Sequence, residues 1–154
     1  ILKKNKPSVV INCICKYDNS PFSEINDEIL IKSININITS NLLILKRVIN
    51  HFQKNKGGFY INISSIAEDL INKDESLYVM SKTAISKILK CIRLENLNYP
   101  IKIINVKPGA FKSKITMARE SYDMLPKPDE IAKTILKIIE LKDFNVNEIE
   151  FRRT

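Results

Sequence analysis

The residues in this sequence best suited to proton transfer are Tyr78 and Lys82, which lie four positions apart where apolar residues recur at helical spacing. Side chains four apart on a helix share one face. A phenol with a pKa of about 10 is a weak acid–base group at neutral pH, but a neighbouring ammonium favours the phenolate. We therefore expect Tyr78 and Lys82 to form a proton-transfer pair in which Lys82 lowers the pKa of Tyr78. The alternative is a chance pairing of a packed tyrosine with a solvated lysine.

A pair of serines precedes these two residues. Ser64 and Ser65 directly follow the β-rich run 58–63, so they fall where a strand ends. In α/β folds the carboxyl ends of the strands border the crevice that binds ligands. We expect the Ser65 hydroxyl to point into that crevice and Ser64 to be a structural residue of the strand end.

Strand and helix patterns alternate along the chain. This alternation predicts an α/β layer fold, in which a parallel sheet of about four strands is flanked by helices. The length suits one packed core and not two, so we expect a single domain over residues 1–154. Segment 112–124 is polar and weakly helical, and Asp129 is expected to cap the last helix. The predicted strands are 9–14, 58–63, 101–106 and 145–151, and the predicted helices are 28–54, 76–97 and 129–141.

The first predicted strand, 9–14, is an almost uninterrupted apolar run. Such a run suits a parallel strand that is covered on both faces and has neighbours on both sides. Cys13 and Cys15 lie in or just after it, and we expect both to be small buried hydrophobic residues.

Composition excludes several classes of function. The net charge is +8, but the lysines are scattered without interleaved aromatic residues, which indicates solvated faces rather than a nucleic-acid surface. Three cysteines without a Cys-x-x-Cys motif predict neither a disulfide framework nor a metal site. His51 is the only histidine, so a His-dependent catalytic triad is excluded. We find no signal peptide and no apolar run of the roughly 18 residues that a membrane span requires, and we expect a cytoplasmic location.

The motifs Asn-Ile-Ser-Ser ending at Ser65 and Tyr-Val-Met-Ser-Lys from Tyr78 to Lys82, with the later Pro108-Gly109, resemble the active-site pattern of the short-chain dehydrogenase/reductase family. The resemblance extends from about residue 8 to the C-terminus. It implies part of a Rossmann-like domain, made of the family's fourth to seventh strands. It also implies an oxidoreductase that uses NADP or NAD to interconvert a carbonyl and an alcohol on a small molecule.

The resemblance assigns a catalytic role to four residues. Asn37 matches the asparagine that bends the long helix and holds a water in a proton relay, although Asn35 and Asn41 make the register less secure. Ser65 would hold the substrate oxygen and Tyr78 would exchange its proton. Lys82 would lower the pKa of Tyr78 and hydrogen-bond the nicotinamide ribose.

The resemblance also assigns cofactor contacts. The first strand of this chain resembles the family's fourth strand, which is followed by a conserved motif in the family. Asn12 is the one residue of that motif that this chain keeps. Pro108 and Gly109 match the loop beside the nicotinamide. Ser113 stands where the family usually has a threonine that touches the carboxamide or a phosphate. Segment 114–126 would form a substrate lid, whose Met117, Tyr122 and Met124 either line an apolar pocket or dock the segment to the core.

Two departures from the family pattern bear on the cofactor. The three glycines, at positions 57, 58 and 109, form no Gly-rich phosphate-binding turn, and Cys15 carries a Cβ where the family generally has glycine. Either the chain is the C-terminal part of a longer domain, which we favour and which a start at Ile1 would suit, or it is a complete but degenerate relative.

Several functional alternatives remain open. The run 35–40 is also similar to the 3-ketoacyl-CoA reductase and 17β-hydroxysteroid dehydrogenase branch of the family. A catalytically impaired relative could instead act through association, because family members often form oligomers through the helices that match 28–54 and 76–97. A basic nucleic-acid binder is the third alternative.

Overall fold

Four parallel strands form one sheet in sequence order, and three helices connect them. The structure, a computed structural model, describes residues 6–141 and 143–152. The predicted α/β fold with a parallel four-stranded sheet is confirmed. The strands are β1 (Val9–Asn12), β2 (Gly58–Ile63), β3 (Ile101–Pro108) and β4 (Glu148–Phe151), and the helices are α1 (Asp27–Gln53), α2 (Ser76–Glu95) and α3 (Pro128–Glu140).

Helices cover both faces of the sheet, giving three layers. Successive side chains of a strand point to opposite faces, so Tyr60 and Ile61 enter different cores. Helices α1 and α2 pack on the Tyr60 face, where Phe52 and Leu89 are fully buried. Helix α3 packs on the Ile61 face through Ile135. Each such side chain stabilises the fold by about 1.5–3 kcal/mol through burial, before entropy costs.

Helix α1 contains a wide turn in its middle. Residues Asn35–Ser40 are π-helical, between two α-helical parts. The Asn41 side-chain amide donates hydrogen bonds to the backbone carbonyl oxygens of Ile36 and Asn37, at 3.1 and 2.9 Å. A π-helical turn commonly occurs near functional sites and re-aims the side chains on it. The predicted helix 28–54 is confirmed, and its irregular part is centred on Asn37.

A row of asparagines crosses the sheet where Asn12, Asn62 and Asn105 are paired in register. The Asn12 amide donates to the side-chain oxygens of Asn41 and Asn62, and the Asn62 amide donates to the Asn105 oxygen at 2.9 Å. All four are buried, and a buried amide is costly unless it is hydrogen-bonded. A slip of one residue would break the whole row, so these asparagines fix the register of the parallel strands.

Strand β1 differs from its prediction. It ends at Asn12, and within the described chain it is an edge strand with β2 as its only neighbour. The chain turns away there because the Asn12 side-chain oxygen accepts a hydrogen bond from the Ile14 amide at 3.2 Å. Cys13 is therefore exposed and Cys15 half-buried, so the expectation that both are buried is wrong.

The C-terminal elements also differ in detail. Helix α3 begins with Pro128 at its first position and Lys127 as its N-cap, so Asp129 lies in the first turn and does not cap the helix. Proline suits that position because it lacks the amide hydrogen that would be unsatisfied there. Segment 112–124 contains turns and one 3₁₀ turn at Tyr122–Met124 instead of a weak helix. Strand β3 extends past its predicted end to Pro108. Strand β4 is shorter than predicted and starts at Glu148.

Helix α1 is the one helix in the described part of the chain that is long and apolar enough to cross a membrane, with a mean hydropathy of 1.2 over 18 residues. This test of length and mean hydropathy is weaker than the uninterrupted apolar run of about 18 residues that the sequence was expected to lack. The helix buries Leu45, Val48 and Phe52 against the sheet. A helix that packs into a sheet core passes the same test of length and composition, so this result alone is weak support for a membrane span.

Candidate active site

A cavity of about 910 Å³ opens at the carboxyl ends of the strands. Its volume lies within the range of small-molecule sites, about 300–1,000 Å³. Most of the residues that line it are apolar, which also suits such a site. It brings together six of the residues predicted from sequence, namely Ser65, Tyr78, Lys82, Pro108, Gly109 and Ser113.

The two serines after β2 have separate environments. The Ser64 amide donates to the Val106 carbonyl oxygen at 2.7 Å, and its buried hydroxyl donates to the Glu68 carboxylate at 2.9 Å. Ser65 lines the cavity, and its hydroxyl oxygen accepts a hydrogen bond from the Ala67 amide at 3.1 Å. That bond caps the 3₁₀ turn Ile66–Glu68, and the Ser65 hydroxyl also hydrogen-bonds the Tyr78 side chain. The geometry places the two serines as predicted.

Glu68 anchors this turn, and sequence reasoning missed it. Its side chain is 3% exposed and accepts a hydrogen bond from the Ser64 hydroxyl. Its two carboxylate oxygens also accept from the Asn105 side-chain amide, at 3.1 and 3.2 Å. The Lys107 ammonium lies 3.4 Å from it and pairs with Asp69 at 2.7 Å. Lys107 at the end of a buried strand was the available signal, because a buried ammonium requires an acidic partner.

Tyr78 lies in the first turn of α2 and faces the cavity. Its ring meets the Tyr17 ring edge-on, with 5.1 Å between centroids. Burial raises the pKa of Tyr78 to about 12, and a hydrogen bond from Ser65 opposes this rise only in part. Lys82 is 5.5 Å from the centre of the Tyr78 ring. The pKa of Tyr78 therefore lies above its ordinary value and not below it as expected, because desolvation of the phenolate is the largest contribution.

Lys82 shares the helix face of Tyr78, as predicted, but it is buried, with 8% of its surface exposed. Its ammonium donates a hydrogen bond to the Ile63 carbonyl oxygen at 3.1 Å. Burial lowers the pKa of Lys82, while the nearby Cys15 thiol acts in the opposite direction. An ammonium has three N–H donors, so Lys82 keeps donors for a ligand in the cavity.

Asn37 faces a second, much smaller cavity of about 10 Å³ that also touches Lys82 and Cys15. That volume is close to the minimum for one water molecule. The Asn37 side chain is fixed by two hydrogen bonds with the backbone of Lys16, which donates at 2.6 Å and accepts at 2.8 Å. The structure thus places Asn37 near Lys82 but outside the large cavity.

Asn12 is the one predicted cofactor residue that lines neither cavity. It is 5% exposed, and its amide donates to the Tyr60 hydroxyl at 2.8 Å as well as to the asparagine row. Cys13 and Cys15 line the large cavity in its vicinity. The side chain of Asn12 therefore links β1 to β2 and to α1.

The residues present fit the nicotinamide end of a dinucleotide cofactor. Free N–H donors on Lys82 and the turn at Pro108 and Gly109 border one open space. No Gly-rich turn is present in residues 6–141 and 143–152 to hold a pyrophosphate, since Gly57 and Gly58 lie at the opposite end of β2. The described residues offer places for the ribose and ring at that end only.

The proposed lid residues lie elsewhere than expected. Met117 and Met124 are 61% and 66% exposed, and neither they nor Tyr122 line the cavity. Tyr122 instead lies beneath the Lys112 ammonium, 5.5 Å from its ring centre. Both interpretations of the two methionines, pocket wall or docking to the core, are therefore wrong. Ile115, Thr116 and Arg119 of segment 114–126 line the cavity instead.

Residues 6–123 match the short chain dehydrogenase family. The chain belongs to this family. An uncharacterized oxidoreductase of Staphylococcus aureus (strain USA300) is 26% identical to this short-chain dehydrogenase over 146 residues, which are 94% of this chain and 63% of the relative. One from Thermotoga maritima is 27% identical over 135 residues, 88% of this chain and 52% of the relative. The chain thus spans between half and two thirds of these relatives.

Solved structures show the same fold. A 4-hydroxyisoleucine dehydrogenase mutant complexed with NADH and succinate superposes with a TM-score of 0.86 at 20% identity, covering 97% of this chain and 68% of that one. An alcohol dehydrogenase from the archaeon Thermococcus sibiricus complexed with 5-hydroxy-NADP gives a TM-score of 0.80 at 21% identity, covering 99% and 68%. At these identities the likeness establishes the fold of the short-chain dehydrogenase and not its substrate.

Proposed function

We propose that this short-chain dehydrogenase is an NAD(P)-dependent oxidoreductase that interconverts a carbonyl and an alcohol. The observation that carries the proposal is that Ser65, Tyr78 and Lys82 open on one cavity at the carboxyl ends of β2 and β3. Ligands of open α/β sheets bind at that edge. The structural neighbours that carry NADH or 5-hydroxy-NADP support the choice of cofactor class.

The proton chemistry follows from the state of Tyr78. Its raised pKa keeps the phenol protonated at neutral pH, so it is ready to donate its proton to a carbonyl oxygen. The Ser65 hydroxyl donates a hydrogen bond to the same oxygen and aligns it. In the reverse direction Tyr78 has to lose its proton first and then accept the one from the alcohol. A water in the small cavity between Asn37 and Lys82 would connect Lys82 to the backbone of α1.

The cofactor would be held at its nicotinamide end by residues that flank the cavity. Lys82 and Tyr78 would bind the ribose hydroxyls, and the backbone at Pro108 and Gly109 would border the ring. The Ser113 hydroxyl lies 3.2 Å from that of Thr116 and is available to the carboxamide or a phosphate. The bound cofactor supplies or accepts the hydride, and the substrate sits on the side of Tyr78 and Ser65.

We also propose association between copies of the chain. The outer faces of α1 and α2 expose large apolar side chains, including Leu43 at 50%, Met80 at 42% and Leu94 at 71%. Exposed apolar residues on neighbouring helices are typical of interfaces. A catalytically impaired relative that acts through this association is the second candidate. Cys15 favours it, because its side chain occupies part of the cavity beside Lys82.

A calorimetric titration with NADH and with NADPH tests the two candidates. We expect saturable binding of one nucleotide and turnover of a carbonyl panel that includes a 3-ketoacyl thioester and a ketosteroid. Tyr78→Phe should abolish turnover, and Tyr99→Phe, at a site 43% exposed and outside the cavity, should not. Absence of both binding and turnover would contradict the oxidoreductase proposal and favour the impaired relative.

A further inference from the structure

Three charged side chains line the large cavity, and two of them are already engaged. The Glu75 carboxylate is buried and accepts hydrogen bonds from the Tyr17 hydroxyl at 2.6 Å and the Asn72 amide at 2.8 Å. Lys82 donates to the Ile63 carbonyl oxygen. Arg119 is the third, and its guanidinium makes no ion pair or hydrogen bond with any residue in 6–141 or 143–152.

The position of Arg119 is fixed by a well-bonded turn. The buried Thr116 hydroxyl donates to the Phe111 carbonyl oxygen at 2.6 Å and accepts from the Ser113 amide at 3.0 Å. The Arg119 amide in turn donates to the Thr116 carbonyl oxygen at 3.0 Å. These bonds hold the backbone of Arg119 at the rim of the cavity, which its exposed side chain lines.

Arg119 lies on the side of the cavity where the substrate would bind. Its positive charge lowers the pKa of both Tyr17 and Tyr78, although burial outweighs it in each case. The charge is therefore within electrostatic reach of the hydroxyl that would transfer the proton. Glu75 forms no ion pair with it within residues 6–141 and 143–152, and the two Glu75 oxygens accept hydrogen bonds from Tyr17 and Asn72 instead.

Much of the remaining lining of the cavity is apolar. Such a wall fits a hydrocarbon body and offers few hydrogen-bond partners to a sugar or another polyhydroxylated compound. The side chains concerned are Leu70, Phe111, Ile115, Ile131 and Leu136.

We infer that the substrate of this site is an oxo or hydroxy acid, whose carboxylate binds Arg119 and whose carbonyl or hydroxyl oxygen binds Ser65 and Tyr78. The inference rests on the proposed function and deepens it. A planar guanidinium matches a carboxylate with two parallel hydrogen bonds. An uncharged ketone of the same shape would leave the Arg119 site unused.

The test compares linear oxo acids, from pyruvate to oxo-octanoate, with their methyl esters in reduction assays with NADH and NADPH. We expect kcat/KM to favour the acid over its ester by about tenfold to hundredfold, the value of one charge-assisted hydrogen bond. Arg119→Gln should remove this preference by raising KM for the acids, with little change for the esters. Lys114→Gln, the same loss of charge at an exposed position outside the cavity, should keep it.

The outcomes separate this inference from the proposed function. Equal kcat/KM for acids and esters, or an acid preference that survives Arg119→Gln, would overturn the carboxylate assignment while leaving the oxidoreductase intact. Reduction of cyclohexanone without reduction of any acid would have the same meaning. A protein that binds neither nucleotide and reduces no carbonyl would instead overturn the proposed function, and the inference with it.

Discussion

The Lys82 ammonium donates a hydrogen bond to the backbone carbonyl oxygen of Ile63, 3.1 Å away. This bond joins the middle of α2 to the last residue of β2, two positions before Ser65. It therefore fixes the distance between the helix face that carries Tyr78 and the strand end that carries the serine. The alignment of the candidate site depends on a buried charge that is held by the Ile63 carbonyl oxygen and the Cys15 side chain.

Replacing Lys82 by methionine should remove both the charge and this hydrogen bond while keeping most of the side-chain volume. We expect kcat/KM to fall by about a hundredfold or more, because a positioned general acid–base system typically contributes that much. Steady-state kinetics and nucleotide calorimetry measure the effect. Lys87→Met, on an exposed position of the same helix, is the matched control and should change neither value. Activity within twofold of the unmodified protein would contradict the role of Lys82.

The direction of the reaction should respond to pH through Tyr78. Its pKa is raised to about 12, so the phenol is protonated at neutral pH and its proton is lost only as pH approaches that value. Carbonyl reduction, which needs the acid, should therefore be nearly constant from about pH 6 to pH 9. Alcohol oxidation needs the phenolate and should rise by about tenfold per pH unit over the same range. Rate profiles in both directions check this, and an oxidation plateau below about pH 8 would mean that the bound state has a much lower pKa.

Glu68→Ala should destabilise the protein more than Asp69→Asn, although both carboxylates contact Lys107. The Asp69 contact is shorter, 2.7 against 3.4 Å, but Asp69 is 53% exposed and Glu68 is 3% exposed. Solvent screens the exposed pair, which contributes about 1 kcal/mol or less. Removing Glu68 leaves the Ser64 hydroxyl without its acceptor and takes the buried carboxylate from Lys107 and Asn105, which keep Asp69, Glu148, Glu150 and Ser86 as partners. It should lower the free energy of unfolding by about 1–3 kcal/mol. Urea denaturation of both variants shows whether burial or distance determines the contribution of each carboxylate to stability. A larger loss of unfolding free energy for Asp69→Asn than for Glu68→Ala would contradict the prediction.

The association proposed for α1 and α2 should be sensitive to charge on their outer faces. Leu43→Lys combined with Leu94→Lys should shift the protein to monomers in sedimentation experiments, because each side chain would otherwise be buried in the interface. Leu136→Lys, an exposed leucine of α3, is a control of the same type and should leave the oligomeric state unchanged. A monomeric unmodified protein, or an oligomer that resists the double substitution, would contradict the proposal.

Local patterns in the sequence determined the order of the elements and indicated the candidate catalytic residues. Two-residue alternation and three-to-four spacing depend only on neighbouring residues, so strands β2 and β3 and helices α1 and α2 were predicted within a few positions. The spacing of Ser65, Tyr78 and Lys82 is a pattern of the same kind. Segment 112–124 and the ends of β1 and β4 were predicted less accurately, because short or polar segments carry little periodicity.

The tertiary structure decided the properties that depend on burial and on distant partners. The rise in the pKa of Tyr78, the engagement of Glu68 with Lys107 and the isolation of Arg119 at the cavity rim all arise from residues far apart in sequence. Parallel strands meet only after a crossover helix, so the contacts between their ends are long-range by construction. Sequence spacing indicates which groups could react, but solvent access and unpaired charge depend on how the crossovers bring them together.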